Sequence, residues 1–355
     1  MAGTTGADAA RVQADVVAAL RRAAFLLERG GATSYRADAF RAAVRTLERT
    51  GAAEVEARLA AGTLTDLPGV GARTAEVATA AAQGGPVPYL ADLEQRYPAA
   101  EATGPGAELR AALRGDLHAH SEASDGSTPI QEMVLAAMDL GHEYLAITDH
   151  SPRLTVANGL SPARLRAQLD QVEALNRAIA PFRVLTGIEV DVLDDGALDQ
   201  EPELLDRLDV VVASVHSKLR MDAAAMTRRM RAAVANPLVD VLGHCTGRQL
   251  TGRRQRPPSE FDAEAVFADC AEHGVAVEVN CRPDRLDPPH ALLDVAVAAG
   301  CLFTVDTDAH APGQLSWQAV GCDRAAAHGI GPDRVLDAWP LDRLREHLDG
   351  RRTGR

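Results

Sequence analysis

The chain has 355 residues, room for two or three domains, and its 46% hydrophobic and 25% charged residues are those of an ordinary globular protein. A formal charge of −13 excludes a generally basic nucleic-acid-binding surface, and 3% aromatic residues leave little for stacking on single-stranded bases. Lys218 is the only lysine, which removes nearly every candidate for Schiff-base chemistry.

Over residues 1–100 the charges balance, so the acidic excess lies entirely in the remainder. Apolar periodicity predicts a helix over residues 8–30, with Val16, Leu20, Ala23 and Leu27 on one face and Gly30-Gly31 stopping it. A second helix over 36–49 aligns Phe40, Val44 and Leu47, with Thr33 or Ser34 as its cap, and a short third covers 53–60. Leu67-Pro-Gly-Val-Gly71 then leads into a helix over 72–83. Residues 86–114, punctuated by Pro86, Pro88, Pro98 and Pro105, read as a connector with a short helical piece near 90–96. From Gly115 onward, β-branched runs over 115–120, 145–150, 183–190, 209–216, 239–244, 275–280 and 302–310 alternate with helical segments. Seven such units argue for a parallel sheet, and their number favours a closed α/β barrel over an open doubly wound sheet.

Nearly every predicted strand ends in a metal-ligand residue type. The groups are His118 and His120 with Asp125 following, Asp149-His150, Glu189, His216, His244, and Asp308 with His310. In α/β barrels the C-terminal strand ends open onto one mouth, where functional groups gather. Six of the eleven histidines at such ends are not accounted for by core packing. Imidazole and carboxylate donors without thiolate suit Zn²⁺, Mn²⁺ or Fe²⁺. The five cysteines are odd in number and form no CxxC pair, so a disulfide framework or thiolate finger is excluded and a reducing compartment fits. No basic-then-apolar leader and no apolar run of about 18 residues is present, which predicts a cytoplasmic protein without a membrane span.

In the N-terminal block, Leu67-Pro-Gly-Val-Gly-Ala-Arg-Thr-Ala75 resembles a helix-hairpin-helix. Its glycines let the turn approach a phosphate, and the amides of the next helix point at it. Gly69, Val70, Gly71 and Arg73 are thus candidates for sequence-independent DNA contact, with a plain turn between helices as the structural alternative.

The strand-end motifs Asp116-Leu-His-Ala-His-Ser, Ile147-Thr-Asp-His, Gly187-Ile-Glu, Ser214-Val-His, Gly243-His and Asp308-Ala-His resemble the polymerase and histidinol phosphatase (PHP) family of metal-dependent phosphoesterases over about residues 114–349. The resemblance implies a distorted seven-stranded (β/α) barrel, preceded here by a small all-α domain, and up to three divalent ions per chain. His118, His120, Glu189 and Asp308 would hold one ion, Asp125, His150 and His310 a second, and His216, His244 and a bridging Glu189 a third. Asp125 stands where some relatives have His, which favours Mn²⁺ tolerance. The segments 243–253 and 277–287 look like the PHP domain of bacterial family X DNA polymerases, which implies that Arg248, Arg253 and Arg285 face a phosphate. Residues 10–85 resemble the N-terminal domain of polymerase beta and its bacterial relatives, but Val77 stands at the lyase-lysine position. Only the 29 positions 86–114 separate the two parts, so no polymerase palm fits and no DNA synthesis is expected.

The domain reading is therefore 1–85 helical with the hairpin, 86–114 linker and 115–349 phosphoesterase. The expected activity is metal-dependent hydrolysis of phosphoesters at DNA ends, as a 3′→5′ exonuclease, 3′-phosphatase or abasic-site nuclease. In that reading Glu189 bridges ions, Asp149 orients a ligand histidine and Arg248 and Arg253 neutralise phosphate charge. The alternatives are a small-molecule phosphatase of histidinol-phosphatase or nucleotide type and a non-catalytic DNA-binding module.

Overall fold

The computed structural model describes residues 6–31, 34–251 and 255–353. By internal contacts the chain divides between Ala99 and Ala100 into two units. Among the described residues the first unit has five helices: α1 (Gly6–Arg29), α2 (Ser34–Arg49), α3 (Ala52–Ala61), α4 (Ala72–Ala82) and α5 (Pro88–Arg96). The periodic residues Val16, Leu20, Leu27, Phe40, Val44 and Leu47 form its core with Val55, Val77 and Leu93. Inside it the Arg41 guanidinium pairs with Glu28 at 2.9 Å. Thr33, one of the two residues expected to cap α2, lies outside the described residues.

The stretch read as a connector is not one. The helix α5 packs Leu93 and Tyr89 onto the first core, whereas α6 (Gly104–Ala112) belongs to the second unit and packs along the helix Gln318–Ala327. Only a short extended piece is left between them.

Among its described residues the second unit has seven strands: β1 (Gly115–Ala119), β2 (Tyr144–Ile147), β3 (Arg183–Asp191), β4 (Val210–Ser214), β5 (Val241–Leu242), β6 (Ala276–Glu278) and β7 (Phe303–Thr304). All neighbouring pairs are parallel and follow sequence order, with helices between them. Both faces of the sheet are buried, which is why the strands read as near-continuous apolar runs. Leu185, Val212, Val241 and Ala276 form an inner cluster, closed by Leu344 and Leu348 of the C-terminal helix Leu341–Thr353.

The sheet curls into a half-barrel whose two edges are joined by side chains rather than by a backbone ladder. One bridge, Ala119 to Ala309, links them. Beyond it, Asp306 Oδ1 accepts the Leu117 N–H at 2.7 Å and Asp116 accepts the Thr307 hydroxyl at 2.5 Å, while Asp337, from the segment after the last strand, accepts the Val305 N–H. All three carboxylates are fully buried. Burial pushes Asp116 up to about 6 and, with mutual repulsion, raises Asp306 and Asp337 well above the usual range. The last strands are also shorter than their apolar runs, because residues beyond Thr304 leave the ladder to make these contacts and to carry ligands. No helix among the described residues is long and apolar enough to cross a membrane.

Candidate metal centre

The strand ends of the second unit converge on one mouth. The register of β1 slips between Asp116 and Ala119 and the strand ends there, so His118 and His120 reach the same side with ring centroids 5.1 Å apart. From His120 the imidazoles continue to His150 at 4.5 Å, His216 at 5.3 Å, His244 at 5.3 Å and back to His118 at 6.0 Å. His310 lies 4.2 Å from His120. Glu189, on β3, occupies the middle of this ring. Its carboxylate lies 2.8 Å from His244 Nε2, 2.8 Å from His150 Nδ1, 3.2 Å from His216 Nε2, 3.5 Å from His118 Nε2 and 3.6 Å from His120 Nε2. Asp125 reaches His150 at 3.5 Å and His310 at 3.3 Å, and Asp308 reaches His120 at 3.4 Å. Asp308 adopts φ of +50°, a strained backbone that the surrounding contacts hold in place.

Charge follows from this crowding. Burial pulls His118 down, but Glu278 and Glu189 outweigh it and hold its pKa well above the ordinary value. Burial likewise opposes His216, which Glu189 and Asp191 bring to about 9. His120 falls well below the ordinary value through burial and the charges of His310 and His150. Against burial, the imidazoles hold Glu189 well below the usual carboxylate range, and Arg282 does the same for Asp308.

Much of this donor set is unsatisfied within the chain. His118 Nε2, both nitrogens of His120, His150 Nδ1, Glu189 Oε2, both nitrogens of His216 and His244 Nδ1 are buried and make no hydrogen bond. His150 Nδ1 is close to Glu189 but lacks a hydrogen-bonding angle. Each such atom left unpaired costs about 1–3 kcal/mol, and divalent cations shared at the centre would satisfy those that face Glu189, namely His118 Nε2, His120 Nε2, His150 Nδ1 and His216 Nε2 with Glu189 Oε2 itself. Among the described residues three groups lie within metal-binding reach: His120, Asp125, His150 and His310; His118, His120 and Glu189; and His150, Glu189 and His216. The group His118, His120 and Glu189 holds three of the four residues expected for the first ion, without Asp308, and the group with Asp125, His150 and His310 holds the three expected for the second together with His120. In the third, His150 stands where His244 is expected, and His244 contacts Glu189 directly.

Several expected roles fall to other residues. Among the described residues the Asp149 carboxylate makes no hydrogen bond to a ligand histidine. It accepts the backbone N–H and hydroxyl of Ser121, the Ser124 hydroxyl and the Gln168 amide, and so shapes the turn that carries Asp125. The carboxylate bonded to the outer nitrogen of a ligand histidine is Glu278, 2.5 Å from His118 Nδ1, while Asp191 accepts the His216 backbone N–H at 3.1 Å and lies 3.4 Å from its Nδ1. Arg248 does not line the cavity: its guanidinium donates to the carbonyls of Arg285 and Leu286, because the turn 285–287 lies within its reach. Arg253 lies outside the described residues. Arg285 does face the centre, 3.3 Å from Asp308, and Arg282 joins it 3.6 Å from the same carboxylate. Glu278 and Arg282 had a legible signal, since Glu278 ends β6 as the ligands end their strands and Arg282 follows in the same motif. Cys245, next to His244, turns away toward Asp287, 3.9 Å from its carboxylate.

In the first unit, Gly69 takes φ of +78° in the turn before α4, and the Thr74 hydroxyl accepts the Gly71 N–H at 2.9 Å. The Val70 side chain is a core residue, so only the backbone of 69–71 is available at the turn. Arg73 is exposed, pairs with Glu76 at 2.6 Å and lies over the Tyr89 ring. Val77 is buried.

Imidazoles and carboxylates gathered at the mouth of a parallel α/β half-barrel mark a metal-binding hydrolase. The chain belongs to the PHP family: the PHP domain matches residues 116–293, and a helix-hairpin-helix domain matches residues 12–86. Membership places it among hydrolases of phosphoester bonds. It is 38% identical over 229 residues to the DNA polymerase/3′-5′ exonuclease PolX of Bacillus subtilis, a match covering 64% of this chain but only 40% of that relative. A probable phosphatase of Aliivibrio fischeri is 29% identical over 56% of this chain and 78% of its own length. The histidinol phosphate phosphatase of Lactococcus lactis, solved with zinc, L-histidinol and phosphate, superposes with a TM-score of 0.43 at 18% identity, over 62% of this chain and 94% of that one.

Proposed function

We propose that the protein hydrolyses phosphoesters at DNA ends, as a 3′→5′ exonuclease, 3′-phosphatase or abasic-site nuclease. The observation that carries this reading is one cavity of about 350 Å³ lined by Asp125, His150, Glu189, His216, Asp308 and His310 together with Arg282 and Arg285. Ligands for cations and donors for a phosphate share it. Divalent ions held there, up to three and of the Mn²⁺, Zn²⁺ or Fe²⁺ kind, supply Lewis acidity toward a phosphoryl oxygen. The chain contributes the rest. Arg282 and Arg285 bind the non-bridging oxygens and offset charge that builds up in the transition state. Asp125 and His310 are more exposed than Glu189, so the substrate enters from their side. Glu189, fully buried among imidazoles, serves as a ligand and not as a proton carrier.

DNA is the favoured substrate because one chain combines this cavity with a helix-hairpin-helix match and similarity to PolX. Gly69, Gly71 and Arg73 would grip the backbone without reading sequence. Five free, buried cysteines suit the cytoplasm. The second reading, a small-molecule phosphatase, is favoured by the acidic charge of residues 101–355 and the match to the Aliivibrio phosphatase. Parallel assays with Mn²⁺ separate the two: nucleotide or phosphate release from 3′-labelled DNA is expected, and release from histidinol phosphate alone overturns the proposal. Metal analysis of protein purified without chelator is expected to find two or more ions per chain, and fewer in His118→Ala and Glu189→Ala.

A further inference from the structure

The cavity of the candidate metal centre has a third wall that the phosphoester chemistry does not use. Leu154, Val156 and Ala157 line it together with the ligands and the two arginines. Val156 is 92% exposed, the most exposed large apolar residue among those described. Scattered surface aliphatics need no explanation, but this one sits on a firmly built turn immediately after the ligand His150. Asp199 anchors its start by accepting the Ser151 hydroxyl at 3.0 Å and the Arg153 N–H at 2.6 Å. At its end Asn158 takes φ of +54° and donates to the Ala123 carbonyl, while Arg164 clamps the carbonyls of Asn158 and Gly159 at 2.8 and 3.1 Å. Gly159 packs so closely on the Ser151 carbonyl that a Cβ would lie 1.8 Å from its oxygen. The chain thus holds an aliphatic lip in place while leaving its tip in water.

We propose, resting on the reading of the centre as a phosphoesterase of DNA ends, that this lip takes the sugar and base of a single unpaired terminal nucleotide whose phosphate lies against Arg282 and Arg285. The two faces of the cavity match the two halves of a nucleotide, an anionic group on the cationic side and a flat, weakly polar ring on the aliphatic side. A ligand wholly enclosed by the cavity has no use for a lip this exposed; the end of a polymer, which continues outward, does. Aliphatic contact with a base face is tolerant of sequence and supplies what a chain so poor in aromatic residues cannot supply by ring stacking.

The test measures kcat/KM with Mn²⁺ on two 3′-labelled single-stranded oligonucleotides that differ only in whether the terminal sugar carries its base. The parent is expected to prefer the base-bearing end about tenfold, mainly through KM. In Val156→Ser the ratio falls toward one, and in Val156→Leu it is retained. Equal kcat/KM for the two ends in the parent, or a ratio unmoved by Val156→Ser, overturns the lip assignment while leaving the nuclease reading intact. If neither oligonucleotide is cut while histidinol phosphate is, the nuclease reading itself fails and the lip assignment falls with it.

Discussion

Replacing Glu278 by Gln tests how the chain prepares its ligands. Glu278 is fully buried; one carboxylate oxygen lies 2.5 Å from His118 Nδ1 and the other accepts the His244 N–H at 2.5 Å and the Asn280 amide at 3.2 Å. A carboxylate accepts at both ends, whereas an amide accepts at one. Turned one way, the new NH₂ meets two donors. Turned the other, it donates to His118 Nδ1 and forces the ring proton onto Nε2, the buried, unpartnered atom aimed at Glu189. A protonated Nε2 cannot bind a cation. Loss of an orienting partner of this kind lowers metal affinity by about 10–100-fold, equivalent to about 1.4–2.7 kcal/mol. The assay is chelator competition for Mn²⁺ and Zn²⁺ on parent and variant, with circular dichroism confirming the fold. Affinities within twofold of the parent, on an intact fold, refute the argument that Glu278 sets the His118 tautomer.

Other consequences are equally concrete. Asp240, fully buried, holds Arg351 at 3.0 Å and Arg352 at 2.7 Å and so fixes the C-terminal helix; Asp240→Ala is expected to cost about 3–5 kcal/mol, read as a lower urea midpoint. His142 is held down to about 4 by burial and the charge of Arg110. Because the unfolded chain binds this proton more readily, the contribution is full above about pH 6.5 and is lost as pH falls toward 4, about 3 kcal/mol in all. His142→Gln should therefore flatten the pH dependence of stability in that window, measured by urea unfolding at stepped pH. Arg73→Ala is expected to weaken DNA binding similarly for all sequences and to reduce the salt slope by about one, seen in fluorescence anisotropy at several salt concentrations.

The parts of the centre that could be read from sequence are those in short local motifs. His118 and His120, or Asp308 and His310, are separated by one residue, and their place at strand ends follows from the alternation of strand and helix. What could not be read depends on contacts between distant segments. The bond between Glu278 and His118 spans 160 positions and exists only because the sheet curls. The resemblance of the segment 243–253 implied that Arg248 faces a phosphate, but the reach of its side chain is decided by the turn 285–287 folding beneath it. Pattern also overestimated β7, since an apolar run does not reveal where a strand leaves its neighbours. The helix α6 was hidden for a different reason: Pro105 lies at its first turn, where proline is tolerated, and was read as punctuation.

The carboxylates that join the edges of the half-barrel have a consequence for its mouth. His118 and His120 stand on one margin and Asp308 and His310 on the other, so the clasps formed by Asp116 and Asp306 set the span across which cations would be shared. A hoop closed by a continuous ladder would fix that span through many redundant bonds. This one works like a bracelet with a catch, and Thr307, whose hydroxyl and N–H are both held by Asp116, governs the fit of two halves of a metal-binding ring.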